Sequence, residues 1–124
     1  MNKVFRILLI AASAAWIPGA VLAGDFGFKS DVFPVLRMKC LECHQPGGAG
    51  HEKSGLDMTT YESLMKGTKN GPAVIPGDPL TSTLMMVLDK RTHKEIRMPF
   101  KRLPLTKEER GVIRKWIARG AKND

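Results

Sequence analysis

Cys40-Leu41-Glu42-Cys43-His44 holds the only two cysteines of a 124-residue chain, and a histidine directly follows the second. C-x-x-C-H is the attachment pattern of a covalent c-type haem: two thiols become thioethers to the vinyl groups, and the imidazole ligates the iron. The spacing has a physical reason. Two intervening residues set both sulfurs on one side of a single turn, and the next residue projects its imidazole beneath the ring. Two rivals use the same residues. A thioredoxin-like dithiol needs a βαβ context, which the hydrophobic pattern does not provide. A zinc site would have to recruit His51 and His93 beside Cys40 and Cys43, because His44 is awkwardly placed to join a tetrahedron with its neighbour Cys43.

The N-terminus decides between them. Lys3 and Arg6 precede an apolar run from Ile7 to Ile17, Pro18-Gly19 breaks it, and Val21-Leu22-Ala23 offers small residues for cleavage before Gly24. This is the pattern of an export signal. The apolar run is shorter and more interrupted than a membrane span of about 20 residues. The expectation is a signal peptide over 1–23 and one domain over 24–124, delivered to the periplasm with no stable membrane span after cleavage. An uncleaved anchor is the alternative. In an exported protein two cysteines default to a disulfide, but a C-x-x-C pair closes only a small, reactive loop.

The chain carries a formal charge of +8, and cleavage would remove only Lys3 and Arg6, so the domain stays basic. Nucleic acid, an anionic membrane surface and an acidic protein are the usual partners of such a charge. No nucleic-acid motif or aromatic-basic interleaving is present, and a redox protein with an acidic docking surface is the favoured partner. About 100 residues give a marginal core, to which a buried cofactor would add interior.

Helical periodicity recurs along the chain. Ser30 or Asp31 can cap a helix carrying Val32, Phe33, Leu36 and Cys40, with Pro34 in its first turn. Gln45 to Lys53 is glycine-rich and reads as loop. Thr59 and Glu62 fit a capping box for a short helix through Leu64 and Met65, ending at Gly67. Lys69 to Gly77 is punctuated by Gly and Pro and reads as extended. Asp78-Pro79 restarts helix, with Leu80, Leu84, Val87 and Leu88 on its apolar face. Arg97 to Pro104 is loop. Thr106 and Glu109 form a second capping box, opening a terminal helix with Val112, Ile113, Trp116 and Ile117 on one face. Trp116 and Ile117 should pack near Phe33. The fold class is all-α, with short helices and long loops around a central group.

The iron needs a sixth partner or an open face, and the candidates are His51, His93, Met58, Met65, Met85, Met86 and Met98. Met65 reads as core filler, and Met85 and Met86 sit within an apolar helix. His51 and His93 lie in polar segments and read as solvated. Met98 differs, because it stands in a Pro-flanked loop that no helical face claims. A thioether suits low-spin iron and raises its potential relative to two imidazoles.

Beyond the motif, Ser54-Gly55-Leu56-Asp57, the run Gly71-Pro72-Ala73-Val74-Ile75-Pro76-Gly77-Asp78-Pro79, Arg97-Met98-Pro99, and Pro104-Leu105-Thr106 with Trp116-Ile117-Ala118-Arg119-Gly120-Ala121 follow in order. Together they resemble a class I c-type cytochrome, specifically the single-haem domains of the planctomycete type. The resemblance implies the class I cytochrome c fold around one covalent haem c on Cys40 and Cys43. It implies His44 as proximal and Met98 as distal iron ligand, and single-electron carriage between respiratory partners rather than enzymatic turnover. It also implies a backbone carbonyl that orients His44, for which Pro72 is the candidate. Phe100 departs from the second proline often found after Met-Pro. A haem enzyme subunit or gas sensor with a displaceable sixth site is the alternative function.

Overall fold

The computed structural model describes residues 26–124, so the expected signal peptide over 1–23 lies outside the described residues. The Gly27 N–H donates to the Asp31 carboxylate at 2.9 Å and to the Ser30 hydroxyl at 3.2 Å. Ser30 and Asp31, expected as the cap, therefore act from inside the helix and reach back one turn. Helix begins earlier, as a π-helical turn Phe28–Val32 that runs directly into α1, Phe33–Lys39. Pro34 falls in the first turn of α1, where no N–H is needed.

The glycine-rich segment after the motif corrects the expected loop: Ala49–Ser54 is a helix, α2. None of its residues is buried. What holds it is the motif, since the His51 N–H donates to the Cys43 carbonyl at 2.9 Å. In α3, Tyr61–Lys66, the expected capping box slips by one residue. Thr60 accepts from the Ser63 N–H and Ser63 answers, while Thr59 bonds Asp57 instead. Gly67 ends α3 at φ 85°, and a Cβ there would come within 2.6 Å of the Gly71 carbonyl.

The segment over 69–77 is irregular, as its Gly and Pro content predicts. α4, Thr83–Leu88, starts at Ser82 rather than Asp78. Asp78 instead accepts the N–H groups of Leu80 and Thr81, making a separate turn that leaves Leu80 67% exposed and off the apolar face. Ser82 is fully buried, donating to the Asp78 carbonyl and accepting from the Ile75 N–H. The stretch 90–105 is loop except for a 3₁₀ turn, Lys94–Ile96. α5, Lys107–Ala118, opens on the predicted box: Thr106 Oγ1 accepts from the Glu109 N–H at 3.1 Å, and Glu109 accepts from the Thr106 N–H at 2.8 Å.

Ile113, Trp116 and Ile117 of α5 are buried. Burial of Ile113 and Ile117 stabilises by roughly 1.5–3 kcal/mol each. Trp116 meets Phe28 at 5.3 Å between ring centroids, so its neighbour on the first helix is Phe28 rather than Phe33, which lies 5.9 Å from Phe28. Tyr61 stands edge-on to Phe28 at 5.3 Å. Its hydroxyl donates to the Ala121 carbonyl, and the Trp116 indole N–H to that of Lys122, satisfying the polar ends of both rings. The core thus joins α1, α3 and α5, with α4 packed on α5. The fold is all-α: among the described residues no strand forms beyond an isolated bridge between Thr68 and Gly71. No described helix is long and apolar enough to cross a membrane.

Candidate haem-attachment site

The C-x-x-C-H motif continues α1 as a pair of overlapping turns. The N–H groups of Cys40 and Leu41 donate to the Leu36 carbonyl, and those of Cys43 and His44 donate to the Cys40 carbonyl at 3.1 and 3.0 Å. Cys40, Cys43 and His44 therefore share one turn at the end of a helix. Both cysteines are free and half-buried, and His44 is buried.

Two later segments fold back over this turn. α2 takes the Cys43 carbonyl through His51, and the Met58 N–H takes the His44 carbonyl at 2.8 Å. The fit is close enough to demand glycine. A Cβ at Gly48 would lie 2.5 Å from the Cys43 carbonyl oxygen; one at Gly50 would lie 2.8 Å from His44 Cε1 and 2.9 Å from Nε2. The imidazole thus lies against bare backbone. The signal for Gly48 and Gly50 in the sequence is their place within six residues of the candidate ligand His44.

Burial lowers the His44 pKa, opposed in part by the backbone of Leu56, so the ring stays neutral, the form in which imidazole binds a metal. His44 Nδ1 is buried with no hydrogen-bond partner. The expected bond to the Pro72 carbonyl is therefore not made. The backbone that acts on the imidazole is that of Leu56, in the segment pinned to His44 through Met58. Burial also pushes the Cys40 thiol up to about 12, aided by Cys43 and the Glu109 carboxylate. The attacking thiol of a catalytic dithiol has a depressed value, which Cys40 does not share.

His51 departs from the solvated loop residue expected. It stands on α2 against the motif, its Nδ1 buried without a hydrogen-bond partner and 3.7 Å from Glu52. His93 is exposed as expected and pairs with Glu95 at 3.2 Å. Among the described residues no three Cys, His, Asp or Glu side chains gather as a metal cage, so the four candidate zinc ligands do not converge.

The methionines divide clearly. Met58 and Met85 are buried in the core, and Met65 packs against it. Met98 is half-buried, borders the core, and lies in the loop between α4 and α5, with a cis bond to Pro99. That loop meets the motif: Arg102 donates to Glu42, the residue between Leu41 and Cys43, at 2.6 Å. An open groove of about 420 Å³ separates the loop from the end of α1, lined by Met38, Lys39, Pro99, Lys101, Arg102 and Leu103. Paired thiols on one turn, a neutral buried imidazole, glycines in place of side chains and a methionine-bearing loop tied to the turn suit a covalent haem.

An all-α frame around such a turn is that of a cytochrome c-like fold. Residues 40–99, from the first cysteine through Met98 to Pro99, match the family described as planctomycete cytochrome C. No curated protein and no solved structure matches it.

Proposed function

We propose that the protein is an exported single-haem electron carrier of the periplasm, with Cys40 and Cys43 as thioether anchors and His44 and Met98 as axial ligands. The observation that carries this reading is the Arg102–Glu42 ion pair, which draws the Met98 loop onto the attachment turn. Met58 and Met85 are committed to the core, while Met98 borders it, as Met65 does, and stands in the loop that this pair ties down. A haem held this way supplies one-electron transfer, with a soft neutral thioether favouring a higher potential.

The chain's own residues do the rest. Buried His44 stays neutral, and the bare backbone of Gly50 sets its seat. Lys39, Lys101 and Arg102 line the groove beside the loop, and Lys94 and Arg97 are exposed nearby in sequence. These cations would steer a redox partner with an acidic docking surface. With both axial sites filled the protein transfers electrons and turns over no substrate.

The test is the optical spectrum of the oxidised full chain. A methionine–iron charge-transfer band that disappears in Met98→Ala supports the reading. A wild-type protein lacking the band, or one whose reduced form binds carbon monoxide readily, sinks it in favour of an open or displaceable sixth site.

A further inference from the structure

One cluster lies outside the site and bears on it. Asp89, the residue that ends α4, has a carboxylate only 14% exposed and faces three guanidiniums. Arg114 meets both its oxygens at 2.8 Å, Arg91 stands 3.6 Å away, and Arg110 stands 3.7 Å away.

These arginines belong to different parts of the same loop's base. Arg91 lies on the outgoing stem and donates to the Leu80 carbonyl. Arg110 sits in α5 and donates to the Leu105 carbonyl, at the returning stem. Arg110 and Arg114 are four residues apart on one helix, an arrangement that repels unless an anion lies between them. Asp89 is that anion. The loop it closes is the one that carries Met98, whose N–H reaches back to the Val87 carbonyl at 3.2 Å.

We propose that Asp89 is a positioning residue: by clamping both stems of the 90–105 loop through Arg91, Arg110 and Arg114, it holds Met98 at the site. The clamp works from the base, where it is shielded, whereas the Arg102–Glu42 pair works from the exposed tip. This rests on the assignment of Met98 above. Removing the carboxylate leaves Arg110 and Arg114 facing each other and frees the stems to part. Met98 then leaves its seat more often, and an added ligand competes better.

The test uses the oxidised, haem-loaded full chain. Asp89→Asn and Arg114→Gln should weaken the methionine–iron charge-transfer band and raise affinity for added imidazole roughly tenfold, the scale of losing charge-assisted hydrogen bonds. Asp89→Glu should recover part of the loss. Tyr61→Phe, which removes the hydroxyl bonded to Ala121 away from the loop, serves as a control of general destabilisation. It should leave both readouts at the wild-type level. Undiminished bands in Asp89→Asn and Arg114→Gln, or equal imidazole gains in Tyr61→Phe, would overturn the role of Asp89 while Met98 stands. A wild-type protein with no such band overturns both. If Asp89→Asn fails to accumulate, Arg114→Gln and Asp89→Glu still decide.

Discussion

Two glycines that look alike in the sequence should respond oppositely to alanine. Gly50 is the second residue of α2 and Gly111 lies within α5. At Gly111 a Cβ would meet nothing within 4 Å. Alanine there gains helix propensity of about 1 kcal/mol, which for a domain of this size raises Tm by roughly 4–8 °C. At Gly50 the same gain is at most about 1 kcal/mol, and it is opposed by contact. A Cβ would sit 2.8 Å from His44 Cε1 and 3.0 Å from the Cys43 carbonyl oxygen. Ordinary carbon contacts lie near ~3.5–4.0 Å, so the overlap at Cε1 is about 0.7 Å or more. Neither neighbour yields cheaply, since one is backbone and the other a buried ring on an anchored turn. Overpacking of this kind costs about 1–3 kcal/mol, so the net change at Gly50 runs from neutral to about 3 kcal/mol unfavourable. Thermal unfolding of the haem-loaded protein, followed beside its oxidised spectrum, separates the two. Gly111→Ala should be more stable with an unaltered spectrum, and Gly50→Ala no more stable with a perturbed one. A Gly50→Ala protein as stabilised as Gly111→Ala, with the wild-type spectrum, would refute the claim that α2 sets the seat of His44.

Other outcomes follow from the caps and charges. Thr106→Ala removes the α5 cap and should cost about 1 kcal/mol in urea unfolding, with unchanged m-value. The Thr106 backbone N–H, with Lys39, holds the Glu109 carboxyl below its ordinary value. A depressed carboxylate contributes stability that is present above its unfolded-state pKa and is lost as pH falls through the folded one. Glu109→Gln should therefore be less stable than wild type at neutral pH, and the two unfolding curves should converge as pH drops through the carboxylate range. Electron transfer to an acidic partner should slow as salt rises, and stopped-flow rates that ignore ionic strength would remove the docking role of Lys39, Lys101 and Arg102.

Where one local rule governs, the sequence is easily read. α5 is bounded by Thr106 and Glu109, which satisfy each other within four residues, and its buried face repeats at helical spacing. The loop over 97–104 is legible because prolines cannot donate. The misreadings occur where two local solutions compete. Thr59 and Thr60 can each cap α3, and Asp78 and Ser82 can each open α4. Tertiary contact chooses between them: Ser82 is drawn inward to the Ile75 N–H, while Asp78 turns its carboxylate to the exposed Leu80 and Thr81 amides. α2 could not be read at all from propensity. It contains Gly50, buries nothing and owes its form to the Cys43 carbonyl.

The same division separates the parts of the candidate site. Cys40, Cys43 and His44 are contiguous, so their chemistry is written in one short stretch. The groups that seat them come from far along the chain, and each acts through backbone or through an ion pair. Leu56 acts on His44 with its backbone, whereas the resemblance implies the carbonyl of Pro72 for that place. Gly50 contributes the absence of a side chain. Asp89 and Arg102 contribute charge, and in a chain with 20 lysines and arginines against 12 acids no single ion pair stands out by composition. Placement makes them informative. Arg102 meets the one acid between the two cysteines, and Asp89 lies where both stems of the Met98 loop converge. A long loop between two capped helices would otherwise be free to move. Here it is tied at the tip to the attachment turn and at the base to α5, as a loop must be if a ligand is to stay in place through repeated electron transfer.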